Sequence, residues 1–334
     1  MCSGASAVTV VVSDALHTPL GRRVAELVAG IAEVDGVVGA DRLGSVPGGV
    51  ALALVIAAPA GGPDLDGATL GGVDLTATEA LLASLADRVV TRVVVVSSAM
   101  VYGAWPDNPL PLNEESSGRP NPACGAAADQ LELEAMVTRW AQGGPACPVA
   151  VLRRTLTVST DAAAVGWLER SLWHRPTSRH GDTDPPAQFL LLEDLARSVV
   201  HALERSLDGV FNVAPDGWIS AERQRELTGR STGVRLPAVI ADRVAELRWR
   251  FQLTSTPPGI LPYTMHSWVV SNDRLRSTGW APVATNEEAF VSVHRPGWWS
   301  TLTGRRRQEV ALGAMVAGVV AVAAGVVAVL RRRR

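Results

Sequence analysis

Val8–Val12 is an unbroken β-branched run, VTVVV, and it constrains the fold more than any other stretch near the start of the chain. Residues of this kind without apolar/polar alternation suit a strand covered on both faces, as strands of a parallel sheet are. Apolar runs return at Val50–Ala57 and Arg92–Ser97. Between the first two, Leu20, Val24, Leu27, Val28 and Ile31 follow helical spacing, with Thr18 placed as N-cap and Pro19 at the first helical position. Val37–Ala40 reads as the next strand and ends at Asp41. Strand, turn, helix, strand and then an acidic residue is the layout of a dinucleotide-binding βαβ unit.

Two features depart from that layout. The turn Ser13–Thr18 has no glycine, and only the eight residues Arg42–Gly49 separate Asp41 from the next apolar run, too few for a further strand and crossover helix. Pro59–Gly72 is a Gly/Pro/Asp-rich loop. Thr76–Glu79 fits a T-x-x-E capping box opening a helix with Leu81, Leu82 and Leu85 on one face.

The most informative stretch is Arg92–Gln130. Ser97-Ser98-Ala99-Met100-Val101-Tyr102-Gly103 closely resembles the SSxxVYG that ends the catalytic strand of UDP-galactose 4-epimerase-like proteins, in the NAD-dependent epimerase/dehydratase family of extended short-chain dehydrogenases/reductases. Trp105–Pro109, Glu114-Glu115 and Arg119–Pro122 follow the same family's run toward its active-site helix. By this resemblance Ser98 is the hydroxyl that hydrogen-bonds the substrate oxygen. The family then uses a Tyr-x-x-x-Lys pair, a tyrosine acid/base with a lysine one turn later. Setting Glu134 at the family's glutamate puts Ala126 at the tyrosine and Gln130 at the lysine; the other register sets Cys124-Gly125 on Tyr-Gly and Ala128 on the lysine. Neither restores the pair. The whole chain contains no lysine, all 31 basic residues being arginine, and its two tyrosines are Tyr102 and Tyr263. Tyr102 sits where such families keep a structural tyrosine. Cys124 lacks a nearby histidine in sequence to activate it and reads as an inert small residue.

The family's phosphate turn resembles TGxxGxxG, which places Asp14, Ala15, Thr18 and Gly21 at the threonine and three glycine positions. Only Gly21, the packing glycine, survives. Ala15 and Thr18 add atoms where pyrophosphate would lie, so the cofactor implied, NAD or NADP, is weakened, although a helix N-terminus still offers N–H groups. Asp41 would accept from ribose hydroxyls and favour NAD, while Arg42 leaves NADP open. The strand the family places after Asp41, on the adenine side, is the one for which there is no room.

The likeness continues through the second half. PVAVLR (Pro148–Arg153) resembles the next core strand, Gln188–Ala196 the F-[VI]-H-V-x-D-[LV]-A element with Leu191 at the histidine, and Gly209–Ala214 a further strand. Leu195, Val199, Leu203 and Leu207 form one helical stripe, which reads as core. Pro237–Phe251 is helical by period, and SNDRLRSTGW, ending at Trp280, resembles the end of the family's substrate lobe. His17, His174 and His180 show no metal-ligand spacing, so no metal is expected.

Val310–Leu330 is uncharged over 21 residues and flanked by Arg305–Arg307 and Arg331–Arg334. At about 1.5 Å per residue it spans the hydrocarbon core, and it reads as a transmembrane or membrane-inserted helix. From residue 305 onward the chain is net +6 and ahead of it −8, against −2 overall. That balance suits an anionic membrane near the tail and argues against nucleic acid as partner. Cys2, Cys124 and Cys147, odd in number, read as reduced thiols, and no signal peptide is read in MCSGASAVTVVV.

The expectation is thus an α/β, NAD(P)-binding Rossmann-like, doubly wound parallel sheet with a small C-terminal substrate lobe and a C-terminal transmembrane helix. It comprises a core over 7–155, a mixed remainder over 156–295, a basic linker over 296–309 and the helix over 310–330. Functionally it reads as a cytoplasmic domain anchored to the cell membrane, catalytically silent or strongly diverged, binding a nucleotide-type ligand (NAD(P) or a nucleotide sugar) or a protein partner. Two other readings compete. One is an active oxidoreductase or epimerase on a nucleotide-sugar or lipid-linked substrate with a non-standard acid/base. The other is a structural module whose pocket has collapsed. Relatives of this architecture commonly form homodimers.

Overall fold

The computed structural model describes residues 8–13, 18–31, 33–57, 73–160, 184–228, 237–251 and 258–293. Eight strands, β1 (Val8–Val12), β2 (Val34–Gly39), β3 (Ala51–Ala57), β4 (Val89–Ser98), β5 (Val149–Arg154), β6 (Leu156–Val158), β7 (Phe189–Leu191) and β8 (Gly209–Val213), are found among them. Six form one sheet in the order β2-β1-β3-β4-β5-β8, every neighbouring pair parallel. β6 and β7 pair separately. Continuous β-branched runs thus became strands covered on both faces, as the sequence pattern requires.

Alternate residues feed two cores. Val10, Val12, Val55, Val94 and Val96 pack on one face with Val24 and Val28 of helix α1 (Pro19–Val28) and Leu195, Val199 and Leu203 of helix α4 (Leu192–Glu204). Val11, Leu52, Leu54, Val93 and Val95 pack on the other with Leu81 and Leu82 of α2 (Leu75–Ser84) and Leu133 and Val137 of α3 (Gly125–Gly143). The Leu195–Leu207 stripe is core, as its spacing indicates, and helix α5 (Ala221–Thr228) follows β8. Each fully buried side chain of this kind contributes about 1.5–3 kcal/mol, which makes the doubly wound sheet the dominant source of stability.

The short segment after β2 has a structural consequence. Ala40–Ser45 is a single 3-10 turn leading into β3, so β2 is the outermost strand on that side, with no strand beyond it among the described residues. The sheet changes direction of addition between β1 and β3, and the strand ends there form the crevice where α/β sheets bind ligands.

One local expectation is corrected. Helix α2 is capped by Asp74, whose carboxylate accepts from the Ala77 N–H at 2.8 Å, and Thr76 lies within the first turn. The charged acceptor two residues earlier takes the capping role. Among the described residues no helix is long and apolar enough to cross a membrane. Residues 310–330 lie outside them.

Candidate functional site

β4 delivers Ser97 and Ser98 to the C-terminal edge of the sheet, opposite Arg153 and Arg154 of β5. The alternation of a strand turns the two hydroxyls to opposite faces. Ser97 donates to Glu134 of α3, which also takes a forked ion pair from Arg153, with Arg153 Nη2 to Oε2 at 2.7 Å and Nε to Oε1 at 3.1 Å. Both charged side chains are buried, and Glu134 holds the Arg153 guanidinium firmly protonated against the cost of burial. The guanidinium lies 4.7 Å from the centre of the Tyr102 ring, whose hydroxyl donates to Asn212 Oδ1 at 2.8 Å. Burial pushes the Tyr102 phenol up, so it is a neutral donor in the frame.

Ser98 closes β4 and caps the following 3-10 turn, Ala99–Tyr102; its Oγ accepts from the Met100 N–H at 3.2 Å. Gly103 ends that turn at φ 71°, a left-handed conformation, and a Cβ there would lie 2.2 Å from the Arg119 carbonyl oxygen. Glycine is therefore required at the end of the SSxxVYG stretch. Asn121 braces the loop beyond it by accepting from Ala104 N–H at 2.7 Å, and Glu114 accepts from the Asn212 N–H at 2.8 Å.

At the start of α3 the arrangement becomes apolar. Ala126 is buried in one cluster with Met100, Cys124, Ile260 and Tyr263. Tyr263 comes from the distant helix α7 (Pro262–Met265), and its hydroxyl donates to the Met100 carbonyl at 2.8 Å. Gly259 presses so closely on the segment leading into α3 that a Cβ would fall 1.8 Å from the Ala123 carbonyl oxygen. Burial raises both the Tyr263 phenol and the Cys124 thiol beside it. Both are neutral donors at pH 7, and neither is a base. One turn beyond Ala126, Gln130 is half-buried, and its Oε1 has no hydrogen-bond partner among the described residues.

At the N-terminus of α1 the chain's own side chains take up backbone groups. Thr18 caps α1 as its position indicates: its Oγ1 accepts from the Gly21 N–H at 3.1 Å, its carbonyl accepts from Arg22 N–H, and Pro19 has no N–H to offer. Asp41 and Arg42 are exposed in the 3-10 turn after β2, 4.0 Å apart, with the Asp41 carboxylate folded against Gly39. Asp14, Ala15, His17, His174 and His180 lie outside the described residues. Among those described, no cluster of three or more His, Cys, Asp or Glu side chains is placed to hold a metal ion.

Several polar residues of the later family-like stretches hold structure. Asp194 is buried and accepts from the Val283 and Ala284 N–H groups at 3.0 and 3.1 Å. Asn272 donates to the Ala214 carbonyl and to Asp216 at 2.8 and 2.9 Å, and Trp280 is packed in the core. The Glu134–Arg153 pair was not read from sequence. Its members lie 19 positions apart on different elements, and only two facts hint at it, a glutamate on an apolar helix face and an arginine ending a buried strand.

Residues 52–214 match the model of the NAD dependent epimerase/dehydratase family. Among curated proteins, the uncharacterized protein Rv0501 of Mycobacterium tuberculosis and the uncharacterized protein Mb0513 of Mycobacterium bovis are each 27% identical over 207 residues, 62% of this chain and 54% of theirs. The match thus spans about half the length of those relatives. Among solved structures, the UDP-glucose 4-epimerase of Thermus thermophilus in complex with NAD superposes with TM-score 0.60 at 16% identity, covering 85% of this chain and 97% of that one. The UDP-glucuronic acid 4-epimerase of Bacillus cereus, in complex with UDP-glucuronic acid and NAD, gives TM-score 0.60 at 14% identity, covering 86% and 98%. At these identities the likeness is one of fold.

Proposed function

We propose that this chain, whose residues 52–214 match the model of the NAD dependent epimerase/dehydratase family, is a catalytically silent member of that family that holds a nucleotide-type ligand weakly. The observation that carries this is the apolar cluster around Ala126. In the register that aligns Glu134, the acid/base position holds a methyl group, and the phenol and thiol packed around it are neutral donors.

The described residues fit a tightly held dinucleotide poorly. Thr18 and Pro19 between them leave the α1 N-terminus few free N–H groups, and among the described residues no strand flanks β2 on the adenine side. No reaction step is therefore assigned to a cofactor here. A ligand is still favoured over a collapsed pocket by one observation: Gln130 keeps a buried carbonyl oxygen without a partner at the vacated lysine position. An orphaned buried acceptor costs about 1–3 kcal/mol unless something donates to it, and a ribose or sugar hydroxyl has the right chemistry. The similar epimerases bound to NAD and UDP-sugars make a nucleotide the natural class. We place this body at a membrane, anchored through Val310–Leu330 on its cytoplasmic side, on the strength of the uncharged 21-residue run and its arginine flanks.

The test is incubation of the full chain with NAD and with UDP-glucose or UDP-glucuronic acid, followed by proton NMR of the sugar. No epimerisation or oxidation is expected. Turnover that disappears in Ser98→Ala would overturn the assignment and establish an active enzyme with a different acid/base.

A further inference from the structure

Helix α6 (Ala238–Arg250) carries a surface that the site does not use. It packs on the body through its small residues: Ala241 and Ala245 meet Leu261 and Met265. Its large apolar residues face outward. Ile240 is 49% exposed, Val244 39%, Leu247 53% and Phe251, at the C-cap, 65%. With Val239 these are five of the ten large apolar side chains left exposed among the described residues, so the exposure is concentrated on one element.

The pattern around the helix is ordered as well. At 3.6 residues per turn, Ile240, Val244, Leu247 and Phe251 fall within about 60° of one another. Arg248 borders this stripe on one side and Arg243 and Arg250 border it on the other, all three exposed. Glu246 lies further round, away from the apolar centre. An apolar stripe edged on both sides by arginine is the arrangement of a helix lying in a lipid interface, its apolar face among acyl chains and its guanidinium groups at anionic headgroups.

We propose that α6 docks the body flat on an anionic bilayer through the Ile240–Val244–Leu247–Phe251 stripe, with Arg243, Arg248 and Arg250 on lipid phosphates. The arginines supply the charge complementarity, and the uncharged, arginine-flanked run Val310–Leu330 of the same chain brings the body within reach of such a surface. The proposal deepens the membrane placement given above and rests on it for the high local lipid concentration. The docked helix sits directly behind the Pro258–Met265 segment, which closes over Ala126, so the candidate ligand corner lies one layer from the bilayer.

The test uses the full chain throughout. Val316→Asp, Val320→Asp and Val326→Asp together disable the terminal run, and loss of membrane association relative to wild type reads the anchor. In that background, flotation with vesicles of equal parts phosphatidylcholine and phosphatidylglycerol reads α6. Adding Leu247→Glu and Phe251→Glu is expected to lower vesicle-bound protein about ten-fold, and Arg243→Gln with Arg248→Gln to lower it on anionic but not on pure phosphatidylcholine vesicles. Val283→Glu, at another exposed apolar position, serves as control and is expected to change nothing. Binding unchanged by Leu247→Glu and Phe251→Glu overturns the proposal whatever the anchor does. It is equally overturned if those two substitutions leave flotation intact and instead halve the molecular mass in solution, which would assign the stripe to a second copy of the chain.

Discussion

Two regions along the C-terminal edge of the sheet differ in how their polar side chains are held. Beneath Ser98, the Ser97–Glu134–Arg153–Tyr102–Asn212 network is buried, charged and closely bonded. On the β1–β2 side, Asp41 and Arg42 lie exposed in the 3-10 turn after β2, and the Thr18 hydroxyl caps the N-terminus of α1. The network fastens α3, β4, β5 and β8 together, so its loss would cost folding. Asp41 and Arg42 are exposed, so changing them costs little folding. What separates the two regions is the free-energy penalty of substitution.

The largest effect should therefore come from the first region. Glu134→Ala leaves Arg153 buried without its carboxylate and is expected to destabilise by about 3–5 kcal/mol in denaturant unfolding; a loss under about 1 kcal/mol would mean that the network is not what holds the frame. Ala126→Tyr, which would supply the acid in the proposed register, forces a ring into the cluster with Met100 and Tyr263. It should cost about 1–3 kcal/mol and restore no activity. Tyr263→Phe leaves the Met100 carbonyl without its phenol donor and should cost about 1–2 kcal/mol by thermal unfolding.

The turn should respond in the opposite sense. Thr18→Gly removes the side-chain cap at a cost of a few tenths of a kcal/mol and frees the Gly21 N–H for phosphate. Nucleotide affinity is expected to rise several-fold while stability barely moves. The smallest effect is on pH dependence. His201, bonded to Thr278 Oγ1 at 2.8 Å, has its pKa lowered mainly by burial, so the fold keeps it neutral. The unfolded chain takes up that proton near pH ~6.5. Stability is full above that pH and falls as pH drops through the lowered folded value, and His201→Gln should flatten the slope of melting temperature between neutral and mildly acidic pH.

The strands were legible because burial on both faces forces continuous apolar sequence, as in Val8–Val12. The direct passage from β2 to β3 through one 3-10 turn was legible because eight residues cannot span a further strand and crossover. The cap of α2 was misread since Asp74 and Thr76 both suit capping and only the backbone path decides between them. The closure over Ala126 by Tyr263 depends on a contact 163 positions apart with Met100, which no local pattern encodes. Helix α6 is instructive in a different way. Period shows that residues 237–251 are helical, but not that alanines would face the body and large apolar residues the exterior.

The most direct measurement is calorimetric titration of the full chain with NAD and, separately, UDP-glucose. Weak binding is expected for at least one of them, with Kd on the order of 0.1–1 mM, equivalent to about −5.5 to −4 kcal/mol, and tighter binding in Thr18→Gly. Micromolar binding by the wild-type chain, unchanged in Thr18→Gly, would contradict a silent, weakly binding site.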